Sequence, residues 1–280
     1  MRLIALLMSA AASLAAQAAY AAPSGPAVEI KDAVAQVTVI PEDRADVRIE
    51  IVSRNPRLPL KIRQARNRTV IDGGLNGSKI RGCRGSGDNV VVRVAGVGDV
   101  ALKDMPRIVV HAPRDVDASA GGAVFGSVGR ARNVTLGNAG CGDWTVANVE
   151  QHLKINLAGA GDARAGAAGQ ASLRVAGSGD IATAEVRGRL DVDVAGAGNV
   201  RVKSMAGPLD VHVAGAGDVL VQDGQASAMT VSVAGSGNVV FGGVANTLTA
   251  RIAGSGDVRA RQVRGQVRKT VMGSGAVRIG

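Results

Sequence analysis

One phrase recurs along this chain: apolar, Ala, Gly, small, Gly, Asp or Asn, apolar. It reads VAGVGDV at Val94–Val100, LAGAGDA at Leu157–Ala163, VAGSGDI at Val175–Ile181 and VAGAGNV at Val194–Val200. It returns as VAGAGDV at Val213–Val219, VAGSGNV at Val233–Val239, IAGSGDV at Ile252–Val258 and VMGSGAV at Val271–Val277. The first glycine of successive units falls at Gly121, Gly140, Gly159, Gly177, Gly196, Gly215, Gly235, Gly254 and Gly273, at intervals of 18 to 20 residues. A fixed period this short means stacked supersecondary units, each unable to bury its apolar face alone.

Before each glycine-rich turn, apolar and polar residues alternate. Leu190, Val192 and Val194 alternate with Asp191 and Asp193; Leu209, Val211 and Val213 alternate with Asp210 and His212. Period two means a strand with one buried face. Alternation resumes after the turn, as in Val200/Val202 and Val219/Val221, and a second turn follows near Gly188, Gly207, Gly224, Gly243 or Gly265. A flat meander would leave its apolar face uncovered. A transmembrane barrel needs strands of about 9–11 residues and aromatic girdles, and the mature aromatics are only Phe125, Trp144 and Phe241. A coil that winds once per unit encloses its own apolar face. The pattern therefore predicts an all-β parallel β-helix, a solenoid of about 19 residues per coil and roughly 40–50 Å long.

Stacking predicts columns of equivalent residues. The position after the second glycine reads Asp143, Asp162, Asp180, Asn199, Asp218, Asn238, Asp257 and Ala276. Adjacent like charges one coil apart would repel by about 1 kcal/mol even in water. Interleaved Asn relieves that and can hydrogen-bond along the stack. The column is read as structural, with the glycines at tight corners. Arg174, Asp193 and His212 should form a second, outward column with an acid between basic groups.

The N-terminal 21 residues read as an export signal: Arg2, an apolar run from Leu3 to Ala16, and Ala19-Tyr20-Ala21 as a small-x-small cleavage site. No second long apolar run follows, so no membrane-spanning segment is expected in the mature chain. Residues 22–104 read as a cap with the first irregular coils, and residues 105–280 as regular repeats, in one continuous solenoid. Both ends of the stack are basic: residues 54–84 hold nine Lys or Arg against one acid, and residues 259–280 hold six against none. Arg57, Lys61, Arg63, Arg66 and Arg68 are candidate contacts for a polyanion such as an acidic glycan or another cell-envelope component. The competing reading is solubility and protection of open solenoid ends.

Other chemistry finds less support. The Asx column is similar in outline to calcium-binding G-G-x-G-x-D turns, but here the acid directly follows the second glycine and Asn or Ala interrupts it. Asx turn stabilisation needs no metal, so no cofactor is expected. A polysaccharide lyase or hydrolase would need paired carboxylates or an acid–base set in a groove. Asp191, Asp193 and Asp210 form the only dense acidic patch, at ordinary outward positions, and His111, His152 and His212 are scattered. Nucleic-acid binding is opposed by the export signal and the lack of stacking aromatics. The only cysteines, Cys83 and Cys141, can pair in an exported protein, and the sequence leaves that open.

The A-G-[SA]-G-[DN]-V units with their preceding Val strands resemble a family of bacterial exported proteins, the autotransporter adhesin head GIN domain. The resemblance spans roughly residues 28–280 and is strongest from Met105 onward. It implies a right-handed, single-stranded parallel β-helix, an adhesion role and no catalytic residues to carry over. No membrane-barrel translocator follows the repeats in this sequence, which points to a periplasmic or released protein. The expectation is a non-enzymatic adhesion or ligand-binding module of the cell envelope.

Overall fold

Alternating valines become two facing walls of parallel strands in the computed structural model, which describes residues 25–76 and 78–280. The export signal read at residues 1–21 lies outside the described residues. Strand Leu190–Gly196 lies in register beside the end of Val200–Gly215, with Leu190 next to Leu209, Val192 next to Val211 and Gly196 next to Gly215. On the other wall, Ile181 lies beside Val200 and Thr183 beside Val202. About nine such turns stack some 19 residues apart into a parallel β-solenoid.

The period-two pattern decides which side chains fill the space between the walls. Val192, Val200, Val202, Leu209 and Val211 are at most 1% exposed and belong to one continuous core. Each such side chain contributes about 1.5–3 kcal/mol when taken fully out of water. Two aromatics suffice in so thin an interior. The Trp144 ring lies across Gly126 of the neighbouring coil, where a Cβ would meet it at 2.4 Å. The second bend of a coil is gentler than the sequence suggests. Strands Val200–Gly215 and Val219–Gly235 run unbroken through Gly207 and Gly224, each at positive φ.

The N-terminal region departs from simple winding. Strand Ala27–Glu42 pairs in parallel with Asp115–Val128 on one side, and with Arg68–Asp72 and Arg107–Pro113 on the other. The first coil in the chain is thus covered by a layer made from later residues. Outside that layer the strands turn antiparallel: Arg48–Ser53 lies on Arg107–Pro113, and Lys61–Ala65 on Arg68–Asp72. Ile80–Arg84, Val91–Val94 and Gly98–Ala101 form a separate antiparallel sheet. That side sheet has its own small core, where Leu58, Leu75, Val92, Val100 and Met105 pack on Val34 and Ala123.

Two expectations are corrected here. The phrase at Val94–Val100 is a hairpin, with Val92 opposite Val100 and Val94 opposite Gly98, not a coil corner. Gly122, not Gly121, stacks beside Gly140, because the strand Asp115–Val128 enters the corner one residue later.

Candidate functional site

The corners carry a hydrogen-bond ladder. From Gly140 to Gly235, each first-glycine carbonyl accepts two N–H groups from the next coil: Gly196 O takes Ala216 N at 2.9 Å and Gly217 N at 3.1 Å. The Asx side chain supplies the adjoining rung. Asp162 N–H donates to Asp143 Oδ1 (3.0 Å), Asp180 N–H to Asp162 Oδ1 (2.9 Å) and Asn199 N–H to Asp180 Oδ1 (2.8 Å). The series continues from Asp218 to Asn199, Asn238 to Asp218, Asp257 to Asn238 and Ala276 to Asp257. Asn199 and Asn238 also donate Nδ2–H to the aspartate one coil back, each at 2.9 Å. Asn therefore both donates and accepts along the column, where a second carboxylate could only accept. Among the described residues, no cluster of three or more His, Cys, Asp or Glu is placed to hold a metal ion.

Beside the column runs an outward row, two residues beyond each Asx. Arg201, Leu220, Val240, Arg259 and Arg278 occupy it on successive coils. Arg201 reaches back to Asp180 Oδ2 at 3.2 Å, and Arg278 to Asp257 Oδ2 at 2.7 Å. Between these ion pairs lies a groove of about 430 Å³, floored by Leu220 and Val240 and edged by Asp218, Asn238 and Asp257.

The basic residues singled out in the sequence separate in space. Arg57 and Lys61 line a cavity of about 490 Å³ at the cap, together with Lys79 and Asp72. Arg63 pairs with Asp72 at 2.9 Å and Arg68 with Glu29 at 3.2 Å, while Arg66 is exposed on the turn between Lys61–Ala65 and Arg68–Asp72. The Gly74 N–H at 2.9 Å, with Lys31 and Arg63, holds the Asp72 carboxyl below the usual range against the opposing pull of desolvation. Lys79 was not singled out in the sequence. It lies in the same basic stretch, but only the fold of the side sheet brings it to the cavity.

The acidic trio is arranged as a surface ion-pair row. Arg189 bridges Asp191 (2.7 Å) and Asp210 (3.5 Å), and Arg174 holds Asp193 at 2.9 Å. His212 approaches Asp210 at 3.3 Å, His111 sits 2.8 Å from Glu42, and His152 lies on a different strand, Val149–Leu157. Cys83 and Cys141 are joined by a disulfide that ties the side sheet to the first regular corner. Sequence reading also missed a polar residue in the core. Asn138, 2% exposed, occupies an inward column otherwise filled by residues such as Leu157 and Val175, and donates Nδ2–H to Gly142 O at 2.6 Å. A break in the apolar series at that position was the available signal.

A capped stack of two-walled coils with Asx corners defines a parallel β-solenoid. Residues 171–280 match the family described as "Putative auto-transporter adhesin, head GIN domain". A solved structure from Parabacteroides distasonis, described as a "Putative lipid binding protein", is similar over 91% of this chain and 93% of its own, with 18% identity and a TM-score of 0.56. A "putative adhesin" from the same organism shares 15% identity over 92% of this chain and 94% of its own, with a TM-score of 0.45. Another from Bacteroides fragilis shares 14% over the same fractions, with a TM-score of 0.44. No curated protein matches the sequence. The descriptions are of adhesins or binding proteins, not of enzymes. Among the described residues, no helix is long and apolar enough to cross a membrane.

Proposed function

We propose that this protein is a non-enzymatic, exported, adhesin-like module of the cell envelope whose N-terminal cap holds an acidic glycan. One observation carries the reading: Arg57, Lys61 and Lys79 line one cavity at the end of the stack, where the sole lining acid, Asp72, already engages Lys31, Arg63 and the Gly74 N–H. A carboxylate or sulfate on an extended polymer would meet net positive charge there. The family match over residues 171–280, with the export signal read at residues 1–21, supports a role outside the cytoplasm. The Asp191 and Asp193 carboxylates are engaged by Arg189 and Arg174, and Asp210 lies 3.5 Å from Arg189 on the same open surface row, which disfavours a glycoside-cleaving role.

A glycan array probed at two salt concentrations tests this reading. Binding should concentrate on uronate-bearing or sulfated glycans and weaken as salt screens the contact. The pair Lys61→Ala with Lys79→Ala should lower affinity by about tenfold, the scale of two lost charge-assisted contacts. Equal binding of neutral glycans, or an unchanged double variant, would overturn it.

A further inference from the structure

The ion-pair row is interrupted. On two coils the arginine two places beyond the corner reaches back to the carboxylate one coil earlier, as Arg201 does to Asp180 and Arg278 to Asp257, whereas Arg164 in the same row makes no such pair. Between Arg201 and Arg278 no such bridge forms on three successive coils. Leu220 follows Asn199, Val240 follows Asp218, and Arg259 follows Asn238. Asn238 carries no charge, and its Oδ1 is occupied by the Asp257 N–H at 3.0 Å. Arg259 therefore makes no ion pair with any described residue, although it is a lining residue of the groove.

The result is a half-buried aliphatic floor with a free guanidinium at one end. Leu220, Val240 and Arg259 are register neighbours, so they span about 10 Å at the usual strand spacing. A volume of about 430 Å³ lies in the range of small-ligand sites. No aromatic ring lines the groove to stack on a sugar. Asp218 and Asp257 along its edge would repel a polyanion, and at the Arg259 end the Asp257 carboxylate is itself bridged to Arg278 at 2.7 Å.

We propose that this groove binds a single-chain fatty carboxylate, with its aliphatic chain over Leu220 and Val240 and its head on Arg259. The arginine fork suits a carboxylate in two-point contact, and the floor supplies apolar contact that short anions cannot use. The site is separate from the cap cavity.

Titration calorimetry on the purified full chain with decanoate, below its micelle concentration, tests the assignment. The expected result is one decanoate per chain, with no measurable binding of acetate or of decyltrimethylammonium. Arg259→Gln should weaken decanoate at least tenfold, and Arg259→Lys less. Leu220→Asn with Val240→Thr should weaken it at least as much as Arg259→Gln. Lys61→Ala with Lys79→Ala should leave it unchanged, which separates this outcome from that of the cap. Methyl NMR on the unaltered chain needs no variant: Leu220 and Val240 resonances should shift on adding decanoate. Equal affinity for the cationic amphiphile, no effect of Arg259→Gln, or shifts centred elsewhere would overturn the proposal.

Discussion

Val94–Val100 and Val213–Val219 differ by one residue, VAGVGDV against VAGAGDV, and fold differently. The later copy is a coil corner. Gly215 O accepts two N–H groups from the next coil, and Asp218 Oδ1 accepts Asn238 N–H. The earlier copy closes a hairpin, with Gly96 and Gly98 at φ near 80° and 94° where Gly215 stands at 142°. Its aspartate, Asp99, turns to Arg84 and Arg93 instead of to a neighbouring coil. Val97, at the position where corners carry Ala, Ser or Cys, leans on the small core of the side sheet. Glycine permits both backbones. The choice between them falls to whether a coil is present on each side to complete the ladder.

The contrast can be broken most forcefully at its covalent link. Replacing Cys83 and Cys141 together by Ser releases a loop with a sequence separation of 58. That should cost about 4 kcal/mol by loop entropy. Hydrogen exchange should show the loss in the side sheet, Ile80–Ala101, while the coils from Asn133 onward keep their protection. Uniform loss would mean that the two regions unfold as one.

Glycine substitution comes next. A Cβ on Gly217 would stand 2.1 Å from Gly198 O, whereas one on Gly96 meets nothing within 4 Å. Gly217→Ala should cost about 3 kcal/mol through backbone displacement, and Gly96→Ala about 1–2 kcal/mol from its positive φ alone. Urea unfolding measures both, and equal losses would contradict stacking at the corner. The two aspartates give a smaller difference. Asp218→Ala removes the acceptor of two N–H groups of Asn238 and should cost about 1–2 kcal/mol. Asp99→Ala removes exposed ion pairs and should stay under about 1 kcal/mol.

The smallest expected effect lies where the irregular region meets the stack. Two N–H groups of Arg132, joined by Asn133, hold the Asp115 carboxyl below the usual carboxylate range despite its burial. A depressed folded pKa adds stability above the unfolded value of about 3.9 and loses it as pH falls through the lower folded value. Melting temperature should drop below about pH 4, less steeply in Asp115→Asn.

Much of the stack was legible because one residue interval governs it. Leu190, Val192 and Val194 alternate inward, and the Asx series marks each corner. The N-terminal region was not legible in the same way, because Ala27–Glu42 takes partners from Arg68–Asp72, Arg107–Pro113 and Asp115–Val128, none at the repeat interval. One clue was present: 26 residues separate Gly96 from Gly122, so the early phrase stands out of step. Of the candidate sites, Arg57 and Lys61 were visible as charge, but their meeting with Lys79 was not. The groove at Leu220 and Val240 was hidden because each is an unremarkable apolar residue. Only stacking aligns both with Arg259 and shows the missing ion pairs.

By itself, the sequence determined the period, the inward valines and the phrase that corners use, since these follow from local alternation and from glycine-rich turns that repeat. Tertiary structure decided which copies become corners, how the first coil is covered, that Cys83 reaches Cys141, and which outward side chains share a groove. Those outcomes depend on contacts between residues far apart in the chain, whose free energy exists only once neighbouring coils are in place.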